Sequence, residues 1–372
     1  MSIEFVWPIY AVFIFLTVSG GTEMLIRQGW VKQLAVFSSA IVLIFLASLR
    51  SLGVGSDDVA YAEMFKTVPF FFGCDEFLCG YSYSQLNIEL GFFTLLSVLR
   101  GFGSEPYVLF SVVALISVAL NVRAIKFFTP HVGGAVLVYF CHFYLNKELN
   151  AIRLGLASAI LFWAVTLIPI RRIGTFLFLV ICAAFVHVSS LLILLPFAVY
   201  QLRPSRTVYA AVALFFLAFT AFFDIQTFFS YLINFGFIGE KINLYLNAEI
   251  YNYPLALFSA VNLKNLVFVG LALIFWQRIS DRYENFELVF CFFFCATFIR
   301  ITLGDFAIVA GRSYAAISMF EYILLPFVVF SLFGKWLGYA LIVLYAGLTL
   351  YLNLTDNAGW SGEAVQFFNF NN

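Results

Sequence analysis

Charge is what this chain has least of. Acidic and basic side chains make up 11% of its 372 residues and balance at 20 each. No basic tract is dense enough to follow a phosphate backbone, which leaves nucleic acid out as a partner. The first apolar run, MSIEFVWPIYAVFIFLTVSGG, lacks a positive leader region and many apolar runs follow it. It therefore reads as a first span rather than a cleaved signal. No spacing of His, Cys, Asp and Glu resembles a dedicated metal site, although adjacent acids could recruit Mg²⁺ together with substrate phosphates. Internal repeats and low-complexity tracts are also missing, which weakens the case for a transporter built from inverted repeats.

What remains is hydrocarbon: 63% hydrophobic residues, 49 of them Phe, with a mean hydropathy of +0.99. A lipid core leaves open sheet edges without partners, so the expected class is all-α, a polytopic transmembrane helical bundle of about ten to twelve spans. It is expected to form one polytopic domain over 1–372. Apolar runs place spans near 5–20, 33–49, 106–122, 131–146, 152–170, 207–223, 259–277, 285–303, 311–333 and 336–354. The stretch 173–202 is long for one helix, carries His187 and Ser189 at its middle and has arginines outside both ends, so a short hairpin is expected there. Of the cysteines, Cys141, Cys182, Cys291 and Cys295 lie in apolar runs and read as small buried hydrophobes. Cys74 and Cys79 flank a polar turn and are placed to pair if their loop faces an oxidising compartment.

The short basic loops fix the orientation. Arg27 and Lys32, Arg123 and Lys126, Arg171 and Arg172, Arg203 and Arg206, Arg278 and Arg282, and Lys335 share one side if segment 85–100 does not cross. That side is cytoplasmic by the positive-inside rule. QLNIELGFFTLLSVLR is then an interfacial or re-entrant helix on the outer face, with the loop 50–105, the KELNAIR connection and the loop 224–258.

Chemistry concentrates in RSLGVGSDDVAYAEMF, residues 50–65, where an apolar run ends in arginine, two glycines and adjacent carboxylates. Arg50 offers a planar fork suited to phosphate, Gly53 and Gly55 free the backbone for tight turns, and Asp57 and Asp58 supply acceptors or a base. A plain polar exit from a span has the same composition. Further polar stations are Lys147, Glu148, Asn150 and Arg153 at the start of a span, His187 at the hairpin, and Arg312 with Tyr314 and Glu321 in a late span. Each arginine reads either as a ligand group or as an anchor or internal ion pair, such as Glu148 with Arg153.

These motifs, in the order LRSLGVGSDDVAYAEMF, a helix with Glu89, LNAIRLGLASAI, FVHVSSLLILLP and AGRSYAAISMFEYILLP, resemble the EpsG-like branch of the Wzy-type polysaccharide polymerases over about residues 40–330. The resemblance implies an architecture similar to O-antigen ligases and, more distantly, to GT-C glycosyltransferases. It also implies a multi-pass enzyme of the bacterial cytoplasmic membrane that joins repeat units carried on undecaprenyl diphosphate at the outer face. Its partners would be lipid-linked oligosaccharide donor and acceptor and the lipid bilayer, with a chain-length regulator protein as a possible further partner and no cofactor. The family's first-loop pattern falls on Arg50, Gly53, Gly55 and Asp57, its Asn and Arg on Asn150 and Arg153, its His and Ser on His187 and Ser189, and its late arginine on Arg312. Leu154 replaces a common Gln, and Asp58 replaces a common aromatic. Adjacent acids in a first outer loop are also a GT-C feature, so a GT-C transferase or an O-antigen ligase is the alternative enzyme, and an oligosaccharide-lipid exporter the alternative that is not one.

A departing diphosphate gathers negative charge, and fixed guanidinium groups in a low-dielectric site stabilise it without a metal. Arg50, Arg153 and Arg312 are the candidates for that task. The acceptor hydroxyl needs a base, and Asp57, Asp58, Glu148 and His187 are candidates, with Asp57 favoured for its place between the Gly-x-Gly turn and Tyr61. Gly53, Gly55, Tyr61, Asn150 and Tyr314 are expected to position substrate.

Overall fold

The computed structural model describes residues 3–26, 28–70, 88–223, 254–355 and 367–368. Cys74, Cys79, Asn234 and most of the loop 224–258 lie outside the described residues. Among those described, every regular element is a helix, and four helical stretches have the length and composition to cross a membrane. This is a multi-pass membrane protein, and the all-helical class follows from its composition.

In chain order, α1 (Ile3–Leu25), α2 (Gly29–Ser48), α3 (Asp58–Thr67) and α4 (Leu90–Leu99) are followed by α5 (Pro106–Phe128), which has proline in its first turn where no helical donor is lost. The fourth expected span is α6, Val132–Lys147, whose middle from Tyr139 to Tyr144 widens into a π-helix. Then come α7 (Ile152–Val165), α8 (Ile173–Val186), a 3₁₀ turn (Val188–Ile193) and α9 (Leu194–Gln201), so the stretch 173–202 is two helices interrupted just after His187. The rest are α10 (Arg206–Phe222), α11 (Ala260–Ile274), α12 (Trp276–Ser280), α13 (Phe286–Thr302), α14 (Ala307–Ile317) and α15 (Glu321–Thr355). A break at Gly334, with φ 71° and ψ −169°, divides α15 where the sequence separates its last two spans. At 10 residues α4 is about 15 Å long, half of a roughly 30 Å hydrocarbon layer, so it does not cross.

The chain forms two compact units. The first holds residues 1–191 and 332–372. Here α5 packs on α2 and α7, α7 on α8, and α1 on α2 and α6. The Glu23 carboxylate, near the end of α1, accepts from the amides of Val132 at 3.2 Å and Gly133 at 2.5 Å, satisfying free donors at the N-terminus of α6. Gly155 lets α7 approach the end of α6: a Cβ there would lie 2.6 Å from the Lys147 carbonyl oxygen. A cluster including Phe65, Phe92, Phe93, Phe110 and Ile152 fills the space between α3, α4, α5 and α7. It forms a dry floor under the first loop.

The second unit, residues 192–331, is built around α13. Between Glu287 in its first turn and Arg300 in its last, α13 is apolar on all sides, as a helix surrounded by others must be, and α9, α10, α11 and α14 all pack on it. Phe290, Phe294 and Phe298 form a ladder at centroid spacings of 5.8 and 4.5 Å. Cys141, Cys291 and Cys295 are buried free thiols, as expected from their apolar settings, and Cys182 is half-buried.

Candidate functional site

The first loop is folded by its own charges. Arg50 follows directly on the end of α2, and its guanidinium holds the Asp58 carboxylate in a fork, Nη2 to Oδ1 at 2.7 Å and Nε to Oδ2 at 3.1 Å. Nη1 donates to the Ala47 carbonyl, and Phe110 lies against the guanidinium at 4.1 Å. The Gly55 amide donates to Asp58 Oδ2 at 2.9 Å. Both charged side chains are buried and turned toward each other. Gly53 has φ 90°, a conformation that favours glycine. Gly55 lies so close to the next segment that a Cβ would meet the Leu149 carbonyl oxygen at 2.1 Å.

That contact brings the loop to Asn150, whose Oδ1 accepts from Ser56 Oγ and from the Asp57 amide, each at 3.0 Å. The backbone of Asp57 is thereby fixed while its carboxylate stays exposed. The two adjacent acids occupy opposite environments, one open and one buried.

One turn further, Arg153 Nη1 donates to Glu89 Oε2 at 2.8 Å, and Glu89 Oε1 accepts from the Val188 amide at 3.0 Å. Glu89 therefore links the start of α7 to the turn that follows α8. The sequence suggested Glu148 as the internal partner of Arg153, and the structure corrects this. Glu148 is buried and accepts from Tyr139 Oη at 2.9 Å. It lies in the turn joining α6 to α7, where burial lifts its carboxyl from 4.5 to about 7. Tyr61, on α3 and edge-on to Phe92 at 5.9 Å, is also held high by burial, against the opposing pull of Arg153. Its hydroxyl therefore stays protonated as a donor. His187 Nδ1 meets Ser189 Oγ at 2.8 Å and accepts from the Ser189 amide at 3.3 Å, which leaves the proton of a neutral ring on Nε2.

The first unit thus gathers Gly53, Gly55, Asp57, Tyr61, Asn150, Arg153 and His187 around one loop, with Arg50 and Asp58 beneath it and Glu148 behind Asn150. Arg312 and Tyr314 belong to the second unit. Arg312 is exposed on α14, while Tyr314 is buried and donates to Glu321 Oε2 at 2.9 Å. Lys264 Nζ reaches the same oxygen at 2.6 Å. Arg300 lies over the Tyr314 ring at 5.4 Å and donates to Asn262 Oδ1 at 3.1 Å.

Sequence reasoning noted Glu89 as part of a motif but gave it no role in the site, and it passed over Lys264, Arg300, Asn262 and Tyr139. For Glu89 and Lys264 a signal existed, since each is a lone charge among apolar residues. Among the described residues, no three His, Cys, Asp or Glu side chains lie close enough to hold a metal.

The EpsG family matches the chain over residues 34–372. Among curated proteins, the amylovoran biosynthesis protein AmsC of Erwinia amylovora is 25% identical over 285 residues, which cover 73% of this chain and 72% of that protein. No solved structure matches the chain significantly.

Proposed function

This chain belongs to the EpsG family, and we propose that it is a membrane glycosyltransferase that polymerises oligosaccharide repeat units carried on undecaprenyl diphosphate at the outer face of the bacterial cytoplasmic membrane. One observation carries the reading: Asp57, its backbone amide fixed by Asn150 and its carboxylate exposed, stands in the same first unit as a framed guanidinium, Arg153, above an apolar floor. The relative named for amylovoran biosynthesis supports a polysaccharide product. The side of the membrane rests on the short basic loops.

In the proposed step the acceptor hydroxyl attacks the anomeric carbon of the donor and passes its proton to Asp57. The bond from that carbon to the diphosphate oxygen breaks, and the electron pair leaves with the polyprenyl diphosphate. Arg153, held by Glu89 and close to the Tyr61 hydroxyl, takes up the charge that develops on the leaving group. His187 presents Nε2–H as a second donor. Arg50 and Asp58 keep the loop in shape, a positioning role that their mutual burial supports better than ligand binding. Gly53, Gly55 and Asn150 position Asp57. In the second unit, taken by itself, Arg312 is proposed as a diphosphate-binding residue, with Tyr314 supporting its helix.

Purified protein given its diphosphate-linked repeat unit should produce a ladder of polymer, and Asp57→Asn should abolish it while leaving donor binding intact. Absence of a ladder from well-folded wild-type protein with that lipid, under any divalent-cation condition, would refute the assignment. The GT-C alternative drew on the adjacent acids of the first outer loop, and with Asp58 turned to Arg50 only Asp57 is open to a substrate. An exporter is the competing reading, and the observation in its favour is the pair of half-buried Lys264 with fully buried Glu321 among the helices of the second unit.

A further inference from the structure

The second unit carries a groove between α9, α10 and α13. Its volume is about 530 Å³ and its walls are apolar, including Leu195, Val199, Val212, Phe216 and Phe298. This lies within the roughly 300–1,000 Å³ typical of ligand sites. On α13 the lining extends from Phe294 to Leu303, about 14 Å of helix axis, close to one leaflet's share of a roughly 30 Å hydrocarbon core.

A smaller polar recess of about 180 Å³ adjoins the groove, sharing Pro204 and Tyr209 with it, and contains Arg203, Trp276 and Glu287. Arg203 and Glu287 are both exposed. Neither takes part in an ion pair among the described residues. Tyr200 lies within electrostatic reach of both. A guanidinium and a carboxylate, unpaired with each other, thus open on one end of a hydrocarbon trough.

A ligand complementary to this arrangement needs an apolar chain, an anionic group and a cationic group at matching places. We infer that the groove holds an acyl chain of a zwitterionic phospholipid with a primary-ammonium head group. Its phosphate binds Arg203 and its ammonium binds Glu287 beside the face of Trp276. A glycerol head group would leave Glu287 facing a phosphate with no cation between them, a like-charge contact that selects against it. A choline head group has no N–H to donate to the carboxylate.

The test is lipid retention measured by native mass spectrometry. Protein stripped of lipid is mixed with equimolar dioleoyl phosphatidylethanolamine and dioleoyl phosphatidylglycerol. Wild-type protein should retain the ethanolamine lipid several-fold over the glycerol lipid. Arg203→Ala should lower retention of both, and Glu287→Lys should invert the preference, a gain that misfolded protein cannot produce. Equal retention by wild type would mean annular lipid only and would overturn the proposal. A preference unchanged by Glu287→Lys, or retention unchanged by Arg203→Ala, would overturn it too. The readout is independent of glycosyl transfer.

Discussion

Replacing Asp58 and Asp57 one at a time by asparagine should produce two different failures, although the residues are adjacent. The Arg50 and Asp58 side chains are 1% and 0% exposed and share two hydrogen bonds, at 2.7 and 3.1 Å. Removing one charge from such a pair strands the other, at a cost of about 3–5 kcal/mol, or two to four decades in the folding equilibrium. Asp58→Asn also weakens the acceptor for the Gly55 amide, so the loop should loosen from Asn150. Asp57 is exposed, and Asn150 holds its backbone rather than its carboxylate. Asp57→Asn should therefore unfold like wild type while slowing transfer by roughly 10² or more, the scale of a lost general base. Thermal unfolding of detergent-purified protein, paired with single-turnover transfer, separates the two effects. Arg50→Met with Asp58→Leu should recover much of the stability lost in either single variant, because a buried pair can often be replaced by apolar residues of similar size. A fully stable but inactive Asp58→Asn would place catalysis on Asp58 and refute this division of roles. A stable Asp57→Asn with normal turnover would remove Asp57 as the base.

Arg153→Lys should keep a charge near Glu89 but lose the planar fork, so transfer in membranes should fall tenfold or more, about 1.4 kcal/mol, at unchanged protein level; a normal ladder would reduce Arg153 to an anchor. Gly55→Ala places a methyl group against the Leu149 carbonyl oxygen, and the unfolding midpoint should drop by the equivalent of about 1–3 kcal/mol. Because the folded state raises the Glu148 carboxyl from 4.5 to about 7, the associated stability is present at acid pH and lost as pH climbs through that window. Glu148→Gln should flatten that part of the profile and exceed wild type on the alkaline side in a pH series of melting curves.

The helices were legible because lipid-crossing segments announce themselves as apolar runs, and the break after His187 because the stretch 173–202 is too long for one helix. The Gly-x-Gly turn was legible as well, since backbone demands at Gly53 and Gly55 are written in residue type. Pairing was not. Arg153 lies five residues from Glu148 yet bonds to Glu89, 64 residues away, because Glu148 is held by Tyr139 across the wide turns of α6. Arg50 read as a free fork for phosphate, and only the folded loop shows Asp58 filling it. Tyr314 and Glu321 are seven residues apart, but the link from Lys264 on α11 to Glu321 on α15 spans 57 residues, and no local pattern announces it.

The π-helical stretch from Tyr139 to Tyr144 makes the polar locus sensitive to chain length as well as to composition. Wide bonds continue past it, from the Leu149 amide to the Tyr144 carbonyl at 3.3 Å and from Ala151 to Asn146 at 2.9 Å. The stretch holds more residues than a tight helix would over the same rise, and such insertions recur at working sites. Deleting one residue would let the helix close into ordinary turns over nearly the same rise, but after a second deletion everything beyond it would rotate by about 100° and shift by about 1.5 Å. Asn150 would then miss the amide of Asp57, and Glu148 would miss Tyr139. Apolar exchanges along this span should be absorbed by the surrounding packing, whereas deleting two codons between Tyr139 and Tyr144 would put the first loop and the start of α7 out of phase.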